Sequence, residues 1–305
     1  SRDIDKAIHY LSLAANQNDS EAQNTLGIIY YEGKYVSRDI DKAIHYLSLA
    51  ANQNDSEAQN TLGIIYYEGK YVSRDIDKAI HYLSLAANQN NPHAQFSLGF
   101  IYHKSEYVLH DINKAIYYYS FAANQNNSDA QFYLGSFYYD GIYIPRDIKK
   151  AIYYFTLAAN HNDSDAQFYL GSIYYDGIYI PRDINKAIHY LTLSANQNNS
   201  YAQYCLGSFY YLGIYVPRDI NKAIHYLILA VNQNNPHAQF YLGFIYYLGI
   251  YVPHDINKAI HYLTLAANYN NPDSQCYLGL IYYKGEYVSC NIDKAIHYLT
   301  LAANQ

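Results

Sequence analysis

Histidine is the residue type most suggestive of chemistry in this 305-residue sequence. His9, His45, His81, His189, His225, His261 and His297 stand at multiples of 36 residues, and Tyr117 and Tyr153 take the two places missing from the series. Imidazoles can hold a metal or titrate near neutral pH. A metal needs its ligands converged within a few ångströms, whereas equivalent residues of stacked helices lie about 10 Å apart or more. These positions also share a helix side with Asp5, Ser12 and Asn16. A solvated polar face is therefore expected, with a face that charges collectively near pH 6 as the sharper alternative.

The other reactive types are scattered. There is no His-Glu-x-x-His, Gly-x-Ser-x-Gly or Ser-x-x-Lys, and no glycine-rich phosphate loop. Acid pairs such as Asp19 and Glu21 fall where a helix would start, which capping and the helix dipole explain. Cys205, Cys276 and Cys290 follow neither disulfide nor metal spacing. They suit a reducing compartment, so a cytoplasmic location is expected. A targeting segment could lie outside the sequence, which begins at Ser1 inside its own pattern. Asn-x-Ser recurs at Asn18, Asn54, Asn126, Asn162 and Asn198, a glycosylation motif that matters only in a secretory pathway. No enzymatic activity and no cofactor are expected.

The charge narrows the partners. A net charge of -6 is spread so thinly that no repeat departs from neutrality by more than about two charges. The basic stripe of a nucleic-acid binder is missing, and an anionic membrane surface is disfavoured. No apolar run approaches the ~20 residues of a membrane-spanning helix.

The element that must position all these residues is a repeat. Lys-Ala-Ile begins at Lys6, Lys42, Lys78, Lys114, Lys150, Lys186, Lys222, Lys258 and Lys294, always 36 residues apart, and residues 1–36 and 37–72 are identical. The units are 1–36, 37–72, 73–108, 109–144, 145–180, 181–216, 217–252 and 253–288, with a partial copy at 289–305. We read the chain as one solenoid over 1–305.

Each unit carries two helical patterns. Ile4, Ala7, Ile8, Leu11 and Ala15 share one face of a helix over about 3–17, with Asp3 as N-cap. Asn16-Gln17-Asn18 ends it, since Asn tolerates the left-handed conformation. Ala22, Leu26, Ile29 and Gly33 share a face of a second helix over about 21–32. Ser20 with Gln23 reads as its capping box, replaced by Asn-Pro in three copies, as at Asn91-Pro92. All fifteen glycines fall at two positions. The Gly33 series ends the second helix, and Ser105 breaks it, which predicts an altered turn there. The Gly27 series lies mid-helix, where Gly costs roughly 1 kcal/mol against Ala. Close approach of a neighbouring helix is the simplest reason for keeping it.

Tyrosine, with 42 residues, is the most informative type. Tyr10, Tyr30 and Tyr35 recur in every copy that has the position, and Tyr10 and Leu13, to one side of the first helix's core face, are expected to pack between hairpins. The better binding candidates lie on the far side of the second helix, at unit positions 24, 28 and 31. They are Phe96, Phe100 and His103, then Phe132 and Tyr139, then Phe168 and Tyr175, then Tyr204 and Tyr211, and then Phe240, Phe244 and Tyr247. Aromatic residues there would suit a hot-spot groove, or they would bury against the next repeat.

The unit Ala-x-x-x-Leu-Gly-x-x-Tyr-x-x-Gly, seen from Ala22 to Gly33, and Asp-x-x-Lys-Ala-x-x-Tyr-x-x-Leu-Ala-Ala, seen from Asp39 to Ala51, resemble the Sel1-like repeat. That family is related to the tetratricopeptide repeat, and the resemblance covers essentially the whole chain. Two features depart from it: Tyr46 and Tyr190 stand at a usual Trp position, and the disulfide of its cysteine-rich bacterial branch is missing. The resemblance implies an all-α fold, a right-handed α/α superhelix of helix-turn-helix repeats, here eight full copies plus a final single helix. It implies a protein-interaction scaffold or adaptor that binds a protein or extended peptide on a concave face. The alternatives are the regulatory repeat region of a larger enzyme such as a protein kinase, or a structural subunit that self-associates end to end or laterally.

Overall fold

The computed structural model describes residues 2–104 and 106–305, so the predicted altered turn at Ser105 lies outside the described residues. Among these residues there are seventeen helices and no strand. They fall into two compact units, Ser1–His161 and Asn162–Gln305.

In the first unit the first helices of the repeats are α1 (Arg2–Asn16), α3 (Ile40–Asn52), α5 (Ile76–Asn88), α7 (Ile112–Asn124) and α9 (Ile148–Asn160). They alternate with the second helices α2 (Ser20–Glu32), α4 (Ser56–Glu68), α6 (Pro92–Lys104) and α8 (Ser128–Asp140). In the second unit the second helices are α10 (Ser164–Asp176), α12 (Ser200–Leu212), α14 (Pro236–Leu248) and α16 (Pro272–Lys284). The first helices there are α11 (Ile184–Asn196), α13 (Ile220–Asn232), α15 (Ile256–Asn268) and α17 (Ile292–Ala303).

Within each unit the most extensive packing joins a second helix to the first helix of the following repeat, as α2 to α3 or α12 to α13. The hairpin inside one 36-residue unit is the lesser contact. Inside one hairpin, Leu47, Ala50 and Ala51 of α3 form a buried cluster with Ala58, Leu62 and Ile65 of α4, whereas a glycine allows the closer approach between repeats. Gly63 lies against the next helix so closely that a Cβ there would stand 2.5 Å from Leu83 Cγ and 3.2 Å from the Ala79 carbonyl. The mid-helix glycine is therefore a contact residue, as its position in the repeat predicts.

The helix ends follow the sequence with two corrections, the first being that Asp3, expected as an N-cap, already lies inside α1, which starts at Arg2. Asp39 caps α3 by accepting from the Lys42 N–H at 3.0 Å. Gly33 takes φ 65° at the end of α2. Asn18 and its seven equivalents hold φ between 59° and 69° in the turn after each first helix. Asn235 caps α14, with Pro236 in its first turn. The expected capping box of Ser20 and Gln23 does not form. Asp19 is the N-cap of α2, its carboxylate accepting from the Ala22 N–H at 2.8 Å, and Ser20 is already helical. The Asp19 carboxylate, one residue earlier, takes that N–H, and Gln23 is left for the task described next.

Candidate functional site

Three rows of side chains run along the repeats. In the first, Gln23 is buried and donates to the Ala15 carbonyl at 3.1 Å, while its own amide oxygen accepts from Gln53 of the next repeat at 2.8 Å. The same link joins Gln89 to Gln59, Gln125 to Gln95, Gln197 to Gln167 and Gln233 to Gln203, at 2.7–2.8 Å. Where the donor position holds His161 or Tyr269, the matching Gln131 and Gln239 keep buried amide atoms without a hydrogen-bond partner. The signal was present in the sequence: Gln stands at position 23 of all eight units, amid apolar residues.

In the second row, Tyr30 stacks on Tyr46 with centroids 6.0 Å apart and planes at 6°. The ammonium of Lys42 lies 5.2 Å from the Tyr30 ring centre. This arrangement repeats at every second-to-first helix junction, down to Tyr282 and Tyr298 with Lys294. The equivalents of Tyr10 from Tyr46 onward pack between hairpins as expected, whereas Leu13 and its equivalents Leu49, Leu85 and Leu193 stay exposed.

The third row is the histidine series. All seven of these histidines are exposed, and each of His45, His81, His189, His225, His261 and His297 meets the following tyrosine edge-on. They lie on a solvated helix face. Among the described residues, no group of three or more His, Cys, Asp or Glu is placed to hold a metal ion, and no helix is long and apolar enough to cross a membrane.

The aromatic positions on the second helices are half-buried, with two exceptions. His103 and Tyr211 are closed in at 7% and 6% exposure. His103 meets Phe137 edge-on at 4.8 Å and Tyr143 at 5.8 Å. Burial drives its pKa down to about 4, and its Nδ1 has no hydrogen-bond partner. Tyr211 packs edge-on against Tyr241 and Tyr251. The rest reach toward the next repeat without being covered. Phe96 and Phe100 both touch Tyr133. Phe132 and Tyr139 flank Phe155. Phe168 meets Tyr201, Tyr175 meets Phe209 at 5.1 Å, and Tyr204 meets Tyr241. Phe240, Phe244 and Tyr247 gather around Tyr277.

Two apolar grooves open on this side. One, in the first unit, has a floor at Leu83 and a volume of about 220 Å³. The other, in the second unit, lies over Leu191 and measures about 270 Å³. Cys205 lines the second, and burial pushes its thiol up to about 11. Burial, then a hydrogen bond with Tyr215, raises the pKa of Tyr175 beside it. Both groups are therefore neutral at physiological pH, and a cleft of this kind can take up apolar surface. Sequence reading found the aromatic side. It did not find the grooves, because they depend on what two successive second helices and the first helix between them present together.

A family profile described as the Sel1 repeat matches residues 1–19, 20–55, 56–91, 92–127, 128–163, 164–199, 200–235, 236–270 and 272–305. Most of these matches begin at a second helix and end after the next first helix, which is the more extensively packed pair. A search of curated proteins found no match. Among solved structures, the chain is similar to a protective antigen present in uropathogenic Escherichia coli strains, described as displaying an SLR fold. The TM-score is 0.89 at 29% identity, over 98% of this chain and 64% of that one. The chain thus spans less than two thirds of that relative. It is also similar to a Sel1 repeat protein from Oxalobacter formigenes, with a TM-score of 0.71 at 33% identity over 97% of this chain and 86% of that one. Proteins of this repeat class generally act as interaction scaffolds.

Proposed function

This chain belongs to the Sel1 repeat family, and from that premise we propose that it is a scaffold which binds an extended segment of a partner protein along the aromatic side of its second helices. The observation that carries this reading is the pair of open, largely apolar grooves on that side, one in each unit, with Glu68 the one charged residue among the described residues on their walls. Interaction hot spots favour aromatic residues around desolvated pockets. Half-buried rings supply apolar area while their own repeat already holds them in place, so little side-chain entropy remains to be lost on binding.

The test is selection of displayed peptides on the intact chain, followed by affinity measurement on variants. Tyr175→Ala and Phe244→Ala should weaken selected binders at least tenfold while circular dichroism and melting temperature stay near the parent values. His45→Ala, on the solvated face, should leave binding unchanged. Tyr211 is buried, so Tyr211→Ala reports on folding. Binders indifferent to Tyr175→Ala and Phe244→Ala would refute the reading.

A further inference from the structure

The two grooves occupy one register. The first is lined by Ile64, Tyr67, Leu83, Phe96, Ser97 and Phe100. Moving three 36-residue repeats along the chain from each gives Ser172, Tyr175, Leu191, Tyr204, Cys205 and Ser208, and these line the second.

Two positions of that register distinguish these grooves from a junction that the chain fills itself. The grooves have Leu at the floor and a small residue, Ser97 or Cys205, on the wall. Between α6 and α8 the same two positions hold Tyr119 and Tyr133, whose rings stack at 5.2 Å with planes 2° apart. Tyr119 is fully buried and also lies 6.3 Å from His103 and 6.0 Å from Phe137. His103, Tyr133 and Phe137 are the register equivalents of Tyr175, Cys205 and Phe209. The chain's own ring therefore fills, at one junction, the space that stands open over Leu191. Phe155 does the same one repeat later, between Phe132 and Tyr139.

We propose that the grooves over Leu191 and Leu83 are sockets for aromatic side chains of a partner protein, each accepting a ring where the chain elsewhere supplies its own. This deepens the scaffold reading and rests on it. The volume agrees. At about 270 Å³ the larger groove falls below the range of whole small-molecule sites, about 300–1,000 Å³, and suits a single side chain. Its chemistry agrees too. No charged residue lines the groove over Leu191, and its walls continue the ring packing between repeats through Tyr175 and Phe209. The rims differ. Leu212 and Ile214 stand exposed beside the groove over Leu191, where the register of the other holds Lys104 and Glu106. The socket over Leu191 therefore favours an aromatic residue with apolar neighbours, and the one over Leu83 an aromatic residue with charged neighbours.

The chain has no Trp, so N-acetyltryptophanamide can be followed by its own fluorescence. The parent chain should bind two probe molecules saturably, and N-acetylalaninamide should not compete. Cys205→Tyr and Ser97→Tyr each place in a groove the residue that Tyr241 over Leu227 and Tyr277 over Leu263 already hold in this register, so both variants should fold. Each should remove one probe site, and the double variant should remove both without lowering the melting temperature. Undiminished probe binding by the folded double variant, or no saturable binding by the parent chain, would overturn the proposal. The two readings fail separately. A partner peptide bound equally by parent and double variant overturns the sockets and leaves the scaffold standing. Probe binding as expected, with no peptide able to compete, leaves the sockets and removes the scaffold.

Discussion

The side-chain amide of Gln53 donates to the buried side-chain oxygen of Gln23 across one repeat, at 2.8 Å. Because Gln23 also holds the end of its own first helix through the Ala15 carbonyl, one residue ties a hairpin internally and to its neighbour. Gln89→Ala removes the donor to the Gln59 oxygen and leaves that atom buried and unpaired. The expected loss is about 1–3 kcal/mol, measured by urea denaturation. His161→Gln supplies the donor that Gln131 lacks and should stabilise by about 1 kcal/mol.

Gly63→Ala tests the close helix contact. On helix propensity alone the change should stabilise by about 1 kcal/mol. The added methyl would meet Leu83 and the Ala79 carbonyl, so overpacking of about 1–3 kcal/mol outweighs that gain. A net loss of stability is expected in equilibrium unfolding.

Tyr119→Phe should stabilise the chain. The Tyr119 hydroxyl is buried without a hydrogen-bond partner, and such a group costs about 1–3 kcal/mol. Phe155 already occupies the same register position. A raised melting temperature is expected.

His103 gives stability a dependence on pH. Its folded pKa of about 4 lies below its ordinary value of 6.5, so the unfolded chain takes up the proton first. Its contribution is complete above about pH 6.5, declines as the pH falls, and is gone below about pH 4. His103→Tyr, matching Tyr139 and Tyr175, should flatten the stability profile between those limits, read as unfolding free energy against pH.

How much of this was legible beforehand follows from the range of each interaction. Helix ends, the left-handed Asn18 turn and the close approach at Gly27 depend on neighbours in sequence or on one recurring small residue, and periodicity exposes them. The Ser20 capping box failed because Asp19 and Ser20 are adjacent good caps, and only geometry chooses between them. The pairing of Gln23 with Gln53 and the fate of Phe96 or Tyr175 depend on what the next repeat presents. A pattern of letters marks such residues as recurrent without saying what they face. Cys205 illustrates the limit. As a lone cysteine it said nothing, yet its small size, where Tyr stands in four other repeats, helps open a groove.

The paired tyrosines have a consequence for how this molecule can be watched. Nearly parallel phenol rings about 6 Å apart, as in Tyr66 with Tyr82, couple their electronic transitions, and each pair straddles one seam between repeats. Near-ultraviolet circular dichroism therefore carries a contribution from each closed seam, beside that of the other packed tyrosines. As the chain loosens, that contribution falls with each seam that parts, and the polypeptide reports its own unzipping without an attached label.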